Sequence, residues 1–197
     1  MIDFAAAREA MVDCQVRPSD VTRFSIIEAM LAVPREDYVP AGLRPVAYVG
    51  EHVPLGNGRV VLDPRVFAKM LDAADIGPKD LVLDVGCGLG YSTAVVARIA
   101  AVVIGLEEDP ELAAEAQARL IAHGAETAVI ETGPLAAGLP QHGPFDVILF
   151  GGAVETFPAA YAAQLKPGGR AVAVFADGAG GQARLGLQLD QHSEVEV

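Results

Sequence analysis

The stretch Leu83-Asp84-Val85-Gly86-Cys87-Gly88-Leu89-Gly90-Tyr91 decides the fold of this chain. A brief apolar run over 81–85 stops at three alternating glycines and gives way to a helical pattern over 91–100. The pattern is a strand, a tight turn and a helix, and bare backbone at such a junction lets a ligand come close to the carboxyl end of the strand. The spacing is GxGxG, whereas a dinucleotide site wants glycine at the sixth position, where this chain has Tyr91. Paired phosphates would be crowded there. They would also be repelled by Asp84, immediately before the glycines.

Outward from the loop, strands are predicted over 102–106, 127–131, 146–150 and 170–175, the last entered from a turn at Lys166-Pro167-Gly168-Gly169. Helices are predicted over 110–123 and 159–165. In the first of these, Pro110 opens the helix, Leu112, Ala116 and Leu120 share a face, and Gly124 caps the end. This alternation predicts an α/β fold, a mostly parallel twisted sheet with helices on both faces. Two strand-like pieces, 183–189 and 193–197, read as an antiparallel hairpin that closes the chain.

The first 75 residues read differently. Val21, Phe24, Ile27 and Leu31 recur at helical spacing up to Pro34, and Asp63-Pro64 is an N-cap and first-turn proline for a helix carrying Val66, Phe67, Met70 and Leu71. Residues 34–62 between them are rich in Pro and Gly and read as mostly loop. Ordering so long a loop costs entropy that something must offset, and it is expected to serve as a lid over the sheet edge. The organisation expected is thus a single domain over 1–197, with a helical and loop lid at 1–75, an α/β core at 76–176 and the hairpin at 177–197.

The chain has 197 residues, 52% hydrophobic with only 6% aromatic and no Trp, so the core is aliphatic. Fourteen Lys and Arg stand against 26 Asp and Glu, a net charge of −12 with no basic run, which argues against nucleic acid as a partner. The most apolar stretch, 81–106, is broken by Asp84, Arg98 and its glycines, so no membrane span is expected. Cys14 and Cys87 lie far apart with no CxxC or Cys/His cluster. Neither a disulfide nor a metal site is expected, and a reducing cytoplasm fits. Cys14 is expected in packing, and Cys87 as a small apolar filler beside the ligand.

The ligand these residues suit is cationic or zwitterionic, and S-adenosylmethionine, with its sulfonium centre and amino-acid tail, is one. LDVGCGLGY at 83–91, Glu107 and PFDVI at 144–148 resemble S-adenosylmethionine-dependent methyltransferases of the Rossmann-like kind. VPREDYVP at 33–40, AYVGEHVPLGNGR at 47–59, Pro64, GPFDVILFGGAVETFP at 143–158 and QLKPGGR at 164–170 resemble, in order and spacing, the protein L-isoaspartyl O-methyltransferase family. The resemblance covers roughly residues 10–190 and implies a divergent member. It assigns Asp84, Gly86, Cys87, Gly88, Gly90 and Tyr91 to the cofactor loop and Glu107, with Glu108 beside it, to the ribose hydroxyls. Thr132 and Gly133 stand where the family has an acidic residue and glycine near the adenine. It also implies one more strand after the stretch resembling 183–197, and a monomer or weak dimer.

In the lid the chain departs from the pattern. Leu62 stands at the family's serine, Val60 at its threonine and Gly50 at its usual Asp. Arg59 would pair with an anionic acceptor in place of the lost hydroxyls, and His52 or Tyr48 would line the same opening. A carboxylate acceptor is ionised at pH 7 and needs no general base, so the work is placement. For a hydroxyl or amine acceptor His52 would be the base. The function implied is carboxyl O-methylation of isoaspartyl residues in proteins or peptides. Methylation of a different, small-molecule acceptor and a non-catalytic cofactor-binding protein stay open beside it.

Overall fold

Alternation along β3 (Leu81–Val85) sends Val82 into the larger hydrophobic core on one face of the sheet and Leu83 and Val85 into the smaller core on the other. Asp84 therefore lies on the Val82 face, and it is fully buried. Its neighbours repeat the division: Val103 against Ile104 and Leu106 in β4 (Val102–Glu107), and Val147 and Leu149 against Ile148 and Phe150 in β6 (Phe145–Val154). Strands buried on both faces read as continuous apolar runs, as these do.

The computed structural model describes residues 2–177, 180–189 and 192–194. A seven-stranded sheet runs in the order β5-β4-β3-β6-β7-β8-β9, where β5 is Ala128–Thr132, β7 Leu165–Asp177, β8 Gly180–Leu189 and β9 His192–Glu194. The first five strands pair in parallel, and β7–β8 and β8–β9 are antiparallel. The expected closing hairpin is therefore present, and its residues 195–197 lie outside the described residues. The Lys166–Gly169 turn is absorbed as an irregularity at the start of β7, whose register with β6 jumps between Phe145 and Val147.

Helices α2 (Phe24–Ala32), α3 (Pro64–Ala74), α4 (Tyr91–Val96) and α5 (Pro110–Ala122) contribute to the larger core, and α6 (Ala159–Ala162) contributes Tyr161 to the smaller. The Asp63 cap is the one the sequence indicated, and Asp109 caps α5 in the same way. Asp63 accepts from the Arg65 and Val66 amides at 2.8 and 3.1 Å, and Asp109 from the Glu111 and Leu112 amides at 2.9 and 3.3 Å.

Three expectations are corrected. Phe24 is 76% exposed, because α2 turns Ile26, Ile27 and Met30 inward instead. Cys14 is exposed, because the first helix, α1 (Phe4–Met11), runs on into a wider π-helical turn over Val12–Val16 that buries Val12 and Val16 and faces Cys14 outward. Residues 34–62 are not mostly loop. They form short 3-10 turns at Arg35–Tyr38 and Ala41–Val46, then an antiparallel hairpin of β1 (Val53–Gly56) and β2 (Arg59–Val61). This hairpin lies over the carboxyl ends of the central strands rather than the sheet edge, with Arg59 on Glu107 and Leu55 against Gly88.

What fixes the lid is a buried cation. Arg35 is fully buried and donates from Nε to the Ala47 carbonyl at 2.6 Å and from Nη2 to the Leu62 carbonyl at 2.8 Å. One guanidinium thus holds both ends of the hairpin segment, with its plane 4.8 Å from the Tyr91 ring centroid. Burial pulls its pKa down, which Tyr91 opposes. Glu36, also buried, accepts from the Tyr48 hydroxyl and lies 3.8 Å from Arg8. Arg35→Ala would leave two buried carbonyls unpaired, and we expect it to lower unfolding free energy by about 3 kcal/mol in urea denaturation.

Candidate active site

Three positive φ angles in five residues, 75° at Gly86, 56° at Gly88 and 89° at Gly90, turn the chain from β3 into α4. The positive φ favours glycine at 88, and a Cβ there would also push against Leu55 Cδ1 of the lid, 2.6 Å away. On the other flank a Cβ on Gly151 of β6 would fall 2.7 Å from the Gly86 carbonyl oxygen, a close approach of two backbones that no side chain fits.

Asp84 closes the bottom of this turn. Its Oδ2 accepts from the Ser92 and Thr93 hydroxyls of α4, both at 2.6 Å, while Oδ1 is buried with no partner among the described residues. Burial raises its pKa to about 6, against the two hydroxyls that favour the anion. A buried carboxylate with an unmet oxygen is a place for a cation. It lines a small chamber of about 20 Å³ with Val60, Leu62, Gly86, Tyr91 and Gly151.

Glu107 ends β4 and is equally buried. Its Oε2 accepts from the Gly88 amide at 2.8 Å, and its Oε1 from the Glu108 and Asp109 amides at 2.8 and 3.1 Å and from Arg59 Nε and Nη2 at 3.2 and 2.9 Å. The Gly133 amide donates to the Glu107 carbonyl at 3.0 Å, which brings the end of β5 to the same place. Thr132 is exposed, and Glu131 lies 3.6 Å from His142.

A second, larger cleft of about 710 Å³, within the usual range for ligand sites, opens beyond the lid. Its lining includes His52, Arg59, Val60, Leu62, Arg65 and Gly151. Val60, Leu62 and Gly151 line both chambers and form the wall they share. His52 Nδ1 accepts from the Asp63 amide at 2.8 Å, so the neutral ring carries its proton on Nε2 and has no lone pair left for base chemistry. In this arrangement it is a donor at the cleft and a brace for Asp63. At Gly50 a Cβ would lie 3.4 Å from Gln15 Oε1 and 4.0 Å from Asp63 Oδ2, so an acidic side chain there would crowd a second carboxylate.

Cys87 is buried beside Asp84, and burial pushes its thiol well above the ordinary range, which suits an inert filler. Tyr91 is buried against Phe67 and Tyr38, with ring centroids 5.8 and 6.0 Å away. Gly151 and Arg35 fall within the stretches 143–158 and 33–40 that carry the resemblance, but nothing in the residues themselves singles them out. Gly151 carries no chemistry of its own, and an arginine is ordinarily assigned to the surface. Among the described residues there is no cluster of His, Cys, Asp and Glu that would hold a metal, and no helix is long and apolar enough to cross a membrane.

A parallel sheet with a buried acid ahead of GxGxG and a second acid ending the next strand defines a class, the Rossmann-like methyltransferase fold. Within it, the chain belongs to the protein-L-isoaspartate(D-aspartate) O-methyltransferase family, whose model matches residues 6–193. It is 40% identical over 169 residues to the protein-L-isoaspartate O-methyltransferase of Koribacter versatilis, covering 86% of this chain and 76% of that one. Among solved structures, a protein-L-isoaspartate O-methyltransferase superposes with a TM-score of 0.81 at 21% identity, over 96% of this chain and 63% of its own length. Another, named for beta-aspartate methyl transfer and solved from Plasmodium falciparum with S-adenosyl-L-homocysteine, superposes at 0.78 and 17% identity, over 100% of this chain and 96% of that one.

The raised pKa of Asp84 has a defined sign. The folded state holds this proton more tightly than the unfolded chain, whose value is near 3.8, so the contribution of Asp84 to stability falls as pH rises from about 4 to about 6. Asp84→Asn removes that dependence. The stability of the variant relative to wild type should therefore improve by roughly 3 kcal/mol between pH 4 and pH 8 in urea denaturation, and a difference that does not change with pH contradicts the assignment.

Proposed function

We propose that this chain transfers a methyl group from S-adenosylmethionine to the side-chain carboxylate of L-isoaspartyl residues in proteins or peptides, acting as a single domain over 1–197 in a reducing cytoplasm. Family membership supports the reaction, and the wall shared by the two chambers is the structural observation that carries it, because methyl transfer needs donor and acceptor on either side of one narrow partition. The residues present fit the donor. Asp84 offers an unmet anionic oxygen for the amino group, the loop at 86–90 offers bare backbone, and Glu107 would take the ribose diol in exchange for the Arg59 guanidinium it holds here, freeing Arg59 for the acceptor. When bound, the cofactor supplies an electrophilic methyl on a sulfonium, and its positive charge and that of the amino group are the charges Asp84 suits.

The protein's own task is then to hold an anion in line. An isoaspartyl carboxylate is ionised at neutral pH, so no residue has to remove a proton. Correct orientation of two held reactants is worth about 7–11 kcal/mol of barrier, which is why a site without a catalytic dyad suffices. Arg59 lines the cleft next to Val60 of the partition while its guanidinium rests on Glu107, so it places a cation on the acceptor side. His52 adds an N–H. Leu62 and Val60, where the resemblance implies hydroxyls, make the partition apolar and exclude water from the reacting oxygen, whose hydration would otherwise compete with attack. Arg35 and His52 set this wall, through the Leu62 carbonyl and the Asp63 amide.

The deciding experiment is methyl transfer to a peptide carrying isoaspartate compared with its aspartyl twin. Turnover of the first and not the second is expected, and equal rates or none would overturn the reading. Arg59→Ala should cut kcat/KM for the isoaspartyl peptide about tenfold or more, as expected for losing a charged partner of the acceptor. Affinity for S-adenosyl-L-homocysteine, measured by calorimetry, should weaken about tenfold per pH unit below pH 6 as Asp84 takes up its proton.

A further inference from the structure

The acceptor cleft carries more positive charge than one carboxylate requires. Besides Arg59 it is lined by Arg65 and Lys69 of α3, and Asp20 is its one acidic lining residue. Three of the chain's 14 cations therefore face one opening in a protein of net charge −12. Arg59 is satisfied by Glu107, but Arg65 and Lys69 have no carboxylate within ion-pair distance among the described residues. Lys69 donates only to the Ser19 carbonyl, at 3.2 Å. Arg65 is exposed and sits at the second position of α3, in the first turn, where the helix dipole disfavours a cation; Asp63 caps that turn, but its carboxylate accepts from the Arg65 and Val66 amides and is not paired with the guanidinium. A charge placed against the local rule and paired with nothing in the fold points to a partner outside it.

From these observations we infer that the cleft selects acceptors in which the isoaspartyl residue is flanked by further acidic side chains, read by Arg65 and Lys69. This rests on the isoaspartyl reading above and names its substrate class more narrowly. The spacing suits an extended peptide. Residues four apart on a helix share a face and are separated by about 6 Å along its axis. Side chains two apart on an extended strand stand on one side and are about 6.6 Å apart. Arg65 and Lys69 thus match a pair of carboxylates at alternate positions of an acceptor laid along α3. Asp20, at the same opening, adds repulsion against such a pair, so the preference is set by two cations against one anion.

The test uses the full chain with three series of isoaspartyl peptides, carrying two acidic, two neutral or two basic residues at alternate positions on either side of the isoaspartate. Acidic flanks on one side should raise kcat/KM about fivefold over neutral ones at low salt, through KM and not kcat. That ratio should shrink toward one at about 0.5 M salt, as screening predicts. Arg65→Glu/Lys69→Glu should invert the ranking, making basic flanks best. A glutamate at position 65 suits the helix start, and S-adenosyl-L-homocysteine affinity by calorimetry reports that the variant is folded. Equal kcat/KM across the three series, or a ranking unmoved by the charge reversal, would overturn the inference while leaving the isoaspartyl reading intact. No turnover of any isoaspartyl peptide by a chain that still binds S-adenosyl-L-homocysteine would instead sink that reading, and the flank preference with it.

Discussion

Glu107 is the point at which the separate parts of this protein are tied together. One buried carboxylate receives the glycine loop through the Gly88 amide, the turn into α5 through the Glu108 and Asp109 amides, and the lid through Arg59. A charge in the interior is tolerable only when it is fully solvated by donors, and here the donors come from segments up to 48 residues apart. Their geometry is therefore mutually dependent. The loop cannot take its conformation unless β4 ends where it does, and the lid cannot rest over the strand ends unless the same oxygen accepts it.

Asp84 is the complementary case, a buried carboxylate left short of partners. Ser92 and Thr93 satisfy one oxygen and nothing described satisfies the other. The two acids, one saturated and one not, stand on neighbouring strands whose ladder joins Asp84 to Gly105 and Val85 to Leu106. A cation reaching the free oxygen would offset the cost of burying it.

Much of this was legible in the sequence because the signals were local. Short apolar runs, the Asp63-Pro64 cap, Pro110 at the start of α5 and the glycine spacing each depend on residues within a few positions of one another, and each reappears in the structure. The glycine loop, Asp84 and Glu107 fall where they were expected. What the sequence did not disclose depends on distant partners. Arg35 is buried only because Ala47 and Leu62, 12 and 27 residues on, bring their carbonyls to it. The lid's hairpin is short and rich in glycine, so its own propensity is weak, and it is ordered by Glu107 and the glycine loop beneath it. Phe24 was read inward from spacing alone, although a shift of two positions along the helix gives the face that packs. The lone-pair assignment of His52 likewise depends on an amide eleven residues away.

The partition formed by Val60, Leu62 and Gly151 belongs to both chambers. Gly151 is hemmed in by the Gly86 carbonyl and cannot grow, so variation is confined to the two lid positions. Any change there is felt on both sides at once. A lineage drifting toward new acceptors through positions 60 and 62 would be obliged to keep its donor grip in step, and breadth of substrate choice in this scaffold is bounded by that shared membrane of side chains.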